Sequence, residues 1–531
     1  MKSKFLPLVL TIGILFGFAL GMNLSDSTVG TLDLSKGKKS YKKLKQVIDF
    51  ISDNYVEEVD QQRMVDDAIE GMIKNLDPHT NFMPKTVFTH SEEIMQGNFQ
   101  GIGVEFYIME DTVMVVAPVI GGPSHKLGVL PGDRIVTVDG ELIAGIGITN
   151  RDVVKKLKGI KGTEVTIEVA RRGEAELLKF TIERDNIPLQ SVDASFMVDE
   201  SIGFIKVTRF SRKTANEFYD ALKELKDSGL QKLIIDLRGN SGGYLDRCVY
   251  MVDQLLSGDK LIVYTEGRVQ PRMDYKAERP GLFENGEVVV LIDEGSASAS
   301  EIFAGAIQDW DRGTIIGRRS FGKGLVQHQY PFKDSSAIRL TVSRYYTPVG
   351  RSIQKPFDKG RKAYEEESYN RMESGELYNE DSLKVNDSLV YVTPGGDTVY
   401  GGGGITPDIF VPIDTTTSNE MYGRIIRKGL IAKYAYTFVS ANRKQLESYD
   451  DASEFSKDKM IETKLESGFQ DYIISKKLKI DNLSWKQSRR RMLTQVKASV
   501  AQQIWRSKGY YQVISEIDDA FNAAMGTFKT K

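Results

Sequence analysis

The feature that most restricts the fold is a unit that recurs between residues 188 and 415. A short apolar run stops at a turn and hands the chain to an amphipathic helix. GFIKVTRF precedes a helical pattern over Ala215–Leu225, and KLIIDLRGNSGG precedes another from about Tyr244 to Leu256. EVVVLIDEGSASAS leads into a third helix after Ser298, followed by TIIGRR and GKGLVQHQY. Short apolar strands feeding helices build parallel βαβ units, so the spacing predicts an α/β core.

The flanks differ from this core. Over residues 40–97, Leu44, Val47, Ile48 and Ile51, then Val65, Ala68, Ile69 and Met72, follow helical spacing. This arm is a candidate homodimer contact. The LDPHT stretch at 76–80 breaks the pattern, and His79 beside its proline turn reads as structural. Residues 98–186 are β-rich, with a helix expected at Arg151–Leu157. Within the core, 357–388 is a charged, tyrosine-bearing insertion expected to be an exposed excursion, after which GGGGITPDIFVPID returns to compact structure. Residues 416–531 read as lysine-rich helix without a motif. The domain reading is therefore 1–24, 40–97, 98–186, 187–415 and 416–531.

The first 24 residues bear on location. MKSK is followed by an uncharged apolar run from Phe5 to Met22, either a signal peptide (Ala19-Leu20-Gly21 would suit cleavage) or a membrane anchor. Lys2 and Lys4 favour an N-terminus left inside and an exported body, periplasmic or anchored in the inner membrane. With 71 basic and 73 acidic residues the net charge is −2, which gives no reason to expect nucleic acid as a partner. Cys248, the single cysteine, excludes an intrachain disulfide and a cysteine metal cluster. The four histidines show no metal-site spacing, and neither metal nor cofactor is expected.

Chemistry gathers at two places. Ser298 stands where a buried strand turns into a helix whose Ala299, Ile302, Phe303, Ala306, Ile307 and Trp310 share one face. Ser298-x-x-Glu301 is also a capping box, so the serine alone decides nothing. A helix N-terminus can nevertheless stabilise an oxyanion. A serine nucleophile needs a base. Strand alternation puts His328 on the face opposite Lys323, Leu325 and Gln327, which leaves Lys323, between Gly322 and Gly324. Burial can lower a lysine toward ~7–8, where it serves as a base. Gln327 would lie about 13 Å along an ideal strand, so it meets the lysine only if the chain bends or the side chain reaches. The DLRGNSGG loop can offer N–H groups to an anion, yet by itself it reads as a plain turn.

Two resemblances join these pieces. SHKLGVLPGDRIVTVDGELI resembles a PDZ domain, with Gly101, Ile102, Gly103 and Val104 where that family binds a peptide's terminal carboxylate. SASASEIFAGAIQD, SFGKGLVQ, DLRGNSGG and GGGGITPDI resemble the C-terminal processing peptidases, also called tail-specific proteases, over roughly residues 40–415. The resemblance implies a ClpP/crotonase-like αβ peptidase core with a PDZ domain, an N-terminal helical segment and a helical C-terminal region. It implies Ser298 as nucleophile, Lys323 as base and Gln327 as its orienter. The oxyanion donors would be the Ala299 N–H and one from Gly239, Gly242 or Gly243. The implied activity is ATP-independent serine endopeptidase action, through an acyl-enzyme, on proteins with accessible apolar C-termini. Two rivals are an inactive PDZ adaptor on this scaffold and a nucleotide-binding enzyme. The intact Ser298, Lys323 and Gln327 weigh against the first, and the missing phosphate-loop spacing against the second.

Overall fold

The computed structural model describes residues 38–529, so the apolar run at 5–22 lies outside the described residues. The chain forms two compact units that divide after Ile73. In the first, helices span Lys38–Asn54 and Gln61–Ile73. Tyr41, Leu44, Val47 and Phe50 are exposed along the Lys38–Asn54 helix. Among the described residues no helix is long and apolar enough to cross a membrane.

The second unit is built on a six-stranded sheet. Its order is Val192–Met197, Ile202–Val207, Lys232–Asp236, Glu287–Ile292, Thr314–Gly317 and Ile409–Phe410. All neighbours pair in parallel except the first two strands, which are antiparallel. Alternation along these strands feeds two cores. Ile205, Leu233, Ile235, Val290 and Ile292 pack with Phe218, Leu222, Val252, Phe303 and Ile307 of three helices, Thr214–Asp227, Leu245–Asp253 and Ala299–Asp309. Phe204, Ile234, Val289, Leu291 and Ile316 face the other way, onto Phe521, Ala524 and Phe528 at the C-terminus. The chain's last helix, Asp519–Thr527, therefore covers the sheet face that the βαβ helices leave bare.

A second sheet runs Asn81–Met83, Ala337–Tyr346, Leu261–Glu266 and Met273–Lys276, with Leu325–Pro331 also paired to Ala337–Tyr346. The segment expected to be helical on either side of the LDPHT break thus contributes a strand just after that turn. Residues 104–183 form a separate antiparallel sheet with the Asn150–Leu157 helix. The chain enters and leaves this sheet through one short pair, Asn98–Gly101 against Asp185–Pro188.

The 357–388 insertion is largely exposed, as its charge suggested, but it is anchored by a few buried side chains. Its helix, Gly360–Glu373, buries Tyr364 and Arg371, and Glu376 and Leu377 follow them inside. Arg371 donates to the carbonyls of Arg319 and Ser320, and Arg319 pairs with Glu376 and Glu367. Three of its charges, Glu367, Arg371 and Glu376, are internal partners for core residues, which a charge count cannot reveal. Residues 417–514 form a helical bundle with its own core around Tyr434, Phe438, Phe455, Phe469, Met492 and Val496.

Candidate active site

Ser298 caps the Ala299–Asp309 helix at φ 56°, ψ −113°. Positive φ in a non-glycine residue costs ~1–3 kcal/mol and persists only where the surroundings over-determine it. Here they do. The Ser298 N–H donates to Glu301 Oε2 at 2.9 Å, and its carbonyl accepts from the N–H groups of Glu301 and Ile302 at 2.9 and 3.0 Å. Of the alternating serines, Ser296 and Ser300 are fully buried and bonded, Ser296 Oγ to the Leu237 carbonyl at 2.9 Å and Ser300 Oγ to that of Asn240 at 2.8 Å. Ser298 alone keeps an accessible surface.

Glu301 does more than the capping box required. Its buried carboxylate takes four donors: Ser298 N–H, Lys323 N–H at 2.8 Å, Gly322 N–H at 2.7 Å and Ser320 Oγ–H at 2.5 Å. Burial pushes its pKa up to about 7, against the pull of those donors. Tyr345, also buried, directs its hydroxyl at the carbonyls of Ser298, at 3.1 Å, and Lys323. One carboxylate and one phenol thereby tie the serine turn to the lysine segment.

Lys323 lies before the strand rather than in it. Gly322 bends the chain at φ +91°, pairing starts at Leu325, and a bulge interrupts the register between Val326 and Gln327. The simple alternation expected over 323–328 therefore fails, and the bend and bulge close the gap an ideal strand would have left. Lys323 Nζ donates to Gln327 Oε1 at 2.9 Å. Gln327 Nε2 donates to the His79 carbonyl at 2.6 Å, and the His79 ring bonds the Tyr364 hydroxyl through Nε2 at 2.7 Å. The residue as a whole is only half-buried, yet desolvation dominates at its ammonium. With the charge of Arg339 it lowers the lysine to about 8, against the opposing charges of Glu301 and Asp77. Burial, and then the Lys323 charge, push His79 down to about 4, so its ring is neutral.

His79, Tyr364 and Tyr345 were missed in the sequence. The LDPHT turn supplies a backbone carbonyl, which no side-chain motif announces, and Tyr364 sits in the segment read as an excursion. Tyr364→Phe leaves the His79 ring without its partner. It should lower kcat about tenfold, the effect of an outer partner on a functional group, with KM within twofold. Steady-state kinetics check this, and an unchanged kcat would detach Tyr364 from the lysine.

The glycine loop narrows to one donor. Gly239 N–H donates to Asp293 Oδ1 at 2.8 Å and Gly242 N–H to Asn240 Oδ1 at 2.9 Å, so neither is free for an oxyanion. The N–H groups of Gly243 and Ala299 have no partner among the described residues. Gly242 serves by having no side chain: a Cβ there would lie 2.7 Å from that of Ser298. Among the described residues, no group of His, Cys, Asp or Glu could hold a metal ion.

In the 104–183 sheet, Val104–Met109 is an edge strand, open to a further strand. Gly101 pairs with Asp185, and Ile102 is buried in the sheet's core. The Ile102 carbonyl accepts from Ser124 Oγ at 2.7 Å and the Gly103 carbonyl from Val119 N–H at 2.9 Å. The N–H groups of Ile102 and Gly103 have no protein acceptor among the described residues. A Cβ at Gly103, which sits at φ +73°, would come within 2.9 Å of Ile187.

Comparison with known proteins identifies the family. Residues 201–359 match peptidase family S41, 114–171 a PDZ domain, 22–87 the N-terminal domain of the activating protease CtpB, and 421–506 a family of unknown function. A carboxy-terminal-processing protease of Bartonella bacilliformis is 36% identical over 348 residues, 64% of this chain and 79% of that protein. The carboxy-terminal processing protease CtpB of Bacillus subtilis is 34% identical over 361 residues, 66% of this chain and 73% of that protein. Among solved structures, the photosystem II D1 C-terminal processing protease aligns at 25% identity and a TM-score of 0.38, over 72% of this chain and 90% of that one. By its matched domains and these relatives, the chain belongs to the carboxy-terminal processing proteases of peptidase family S41, serine-type peptidases, and carries a PDZ domain.

Proposed function

We propose that this chain is an ATP-independent endopeptidase that works by a Ser298/Lys323 dyad on proteins captured by their C-termini. The observation that carries the reading is that Glu301 and Tyr345 tie the turn of an accessible, strained serine to the segment of a lysine lowered to about 8 and held by Gln327. Neutral Lys323 Nζ takes the proton as Ser298 Oγ attacks the scissile carbonyl. The tetrahedral oxyanion lies against the Ala299 and Gly243 N–H groups, at the positive end of the Ala299–Asp309 helix. The protonated lysine then gives its proton to the leaving amine, which departs and leaves Ser298 acylated. Water, deprotonated by Lys323, attacks the ester and frees the second product together with Ser298 Oγ–H.

The substrate's terminal carboxylate meets the free Ile102 and Gly103 N–H groups, and its last residues pair with the Val104–Met109 edge. Accessible apolar tails suit such a site. The N-terminal run at 5–22 with Lys2 and Lys4 supports an exported body, signal-cleaved or anchored. The exposed apolar row Tyr41, Leu44, Val47 and Phe50 supports a homodimer contact through the arm.

The test is to quench turnover of an activated ester substrate in acid and map the acylated peptide by mass spectrometry. The acyl group is expected on Ser298 and not on Ser296. Acylation at another residue, or continued cleavage with no acylated serine, overturns the dyad.

A further inference from the structure

The loop that presents Gly243 is held along its inner side by the core. Gly239 is bonded to Asp293, Asn240 Nδ2 donates to the Val207 carbonyl at 3.1 Å, and the Asn240 carbonyl accepts from Ala297 N–H and Ser300 Oγ. Its first residue, Arg238, is held by a cluster of charges. Lys206 Nζ reaches Asp236 Oδ1 at 3.0 Å and the Arg238 carbonyl at 2.6 Å. The Arg238 guanidinium contacts Asp236 through Nε at 3.1 Å and Nη2 at 2.6 Å. Two cations thus share the one carboxylate that the parallel strands supply.

The second carboxylate comes from 280 residues further along the chain. Asp518 receives Arg238 Nη1 at 2.8 Å and Nη2 at 2.6 Å, a two-point fork of the kind that fixes orientation as well as charge. Asp518 is itself immobilised. It caps the Asp519–Thr527 helix by accepting from Ala520 and Phe521 N–H, each at 3.1 Å. Phe521, Ala524 and Phe528 bury that helix against Phe204, Ile234 and Leu291 of the central sheet. Lys232 Nζ, on a sheet strand, adds a bond to the Phe528 carbonyl at 2.7 Å.

We infer that Asp518, at the head of the C-terminal strap at 518–528, is a positioning residue that sets the oxyanion loop through Arg238. The inference rests on the Ser298/Lys323 reading, because it gives that reading's oxyanion site its outer support. Without Asp518 the cluster holds two cations against Asp236 alone, and half of the guanidinium fork faces nothing. The Arg238 backbone then keeps its bonds to Asp236 and Lys206 but loses the two-point anchor of its side chain, and a shift of the unbalanced cluster is passed along the loop to the Gly243 N–H. A misplacement near 1 Å costs up to about 10²-fold in rate.

Asp518→Asn is the informative change, since asparagine caps a helix as well as aspartate and only the charged fork is lost. The full chain is assayed on a peptide ester, with a peptide aldehyde whose hemiacetal oxyanion uses the same donors. Asp518→Asn should lower kcat by about 10- to 100-fold with KM within twofold, weaken the aldehyde by the same factor, and recover partly in Asp518→Glu. Phe521→Leu, which loosens the strap's packing, should lower the unfolding midpoint and leave aldehyde affinity as in the unmodified chain. All assays run where circular dichroism shows each variant folded. Unchanged kcat and aldehyde affinity in Asp518→Asn, or equal losses in Phe521→Leu, would overturn the positioning role. Full turnover by Ser298→Ala would instead remove the underlying reading, so the two failures are told apart.

Discussion

Lys323→Ala should reduce peptide hydrolysis by at least about 10³-fold, and Lys323→Arg should do no better. General-base catalysis is worth about 10²–10⁴-fold, and losing it from a coupled pair removes nearly all that the nucleophile contributes. Arginine nearly conserves size and charge, but it cannot be deprotonated in a protein, so it separates the role of base from the role of cation. The pH profile follows from the same geometry. The base must be neutral, and desolvation with the charge of Arg339 lowers Lys323 to about 8. From Lys323 alone the rate should rise about tenfold per pH unit below 8 and level off above it, leaving roughly one per cent of the plateau at pH 6. Glu301, held at about 7, protonates over the same interval and steepens the acid side. Gln327→Ala removes the ammonium's acceptor at Gln327 Oε1 and should shift this inflection as well as lower the plateau. Rates of the unmodified chain and Lys323→Arg between pH 5.5 and 9.5 decide the matter. A flat profile, or an active arginine variant, would remove the lysine as base.

The parts of this molecule that were legible in the sequence are those where one chain segment carries its own signal. Apolar strands feeding helices declared the parallel sheet, and the family resemblance of SASASEIFAGAIQD and SFGKGLVQ pointed to Ser298, Lys323 and Gln327 as a candidate site. What stayed hidden depends on partners far apart in the chain. Nothing around His79 says that its carbonyl will receive Gln327, 248 residues away. The anchors of the 357–388 insertion looked solvated because Glu367, Arg371 and Glu376 are charged, and charge is a poor guide once Arg319 and Lys355 wait inside as counterparts. The bulge at Val326/Gln327 was hidden for another reason: a pattern with period two cannot register one extra residue until the partner strand is known. The loop glycines divided only when each N–H was traced to an acceptor, which left Gly243.

Glu301 shows how a local rule can be correct and still understate a residue. As a capping-box glutamate it should be worth about 1 kcal/mol, and its loss should leave catalysis alone. The structure gives it four donors from two segments, and Glu301→Gln cannot satisfy them. With the amide nitrogen on one side, the Ser298 and Lys323 N–H groups both face a donor. On the other side Ser320 can turn its hydroxyl to accept, but the Gly322 N–H is still orphaned. Each buried group left unpaired costs about 1–3 kcal/mol, so the less costly arrangement, with one orphaned N–H, should still destabilise by about 1–3 kcal/mol. Activity should fall by 10²-fold or more, since relief can come only by moving the backbone at the serine turn or the lysine segment. Chemical denaturation and steady-state rates on the same preparation test both halves. A loss near 1 kcal/mol with kcat preserved would return Glu301 to a helix cap. A large fall in kcat in a variant still fully folded at the assay temperature would make this carboxylate the post on which nucleophile and base are jointly hung.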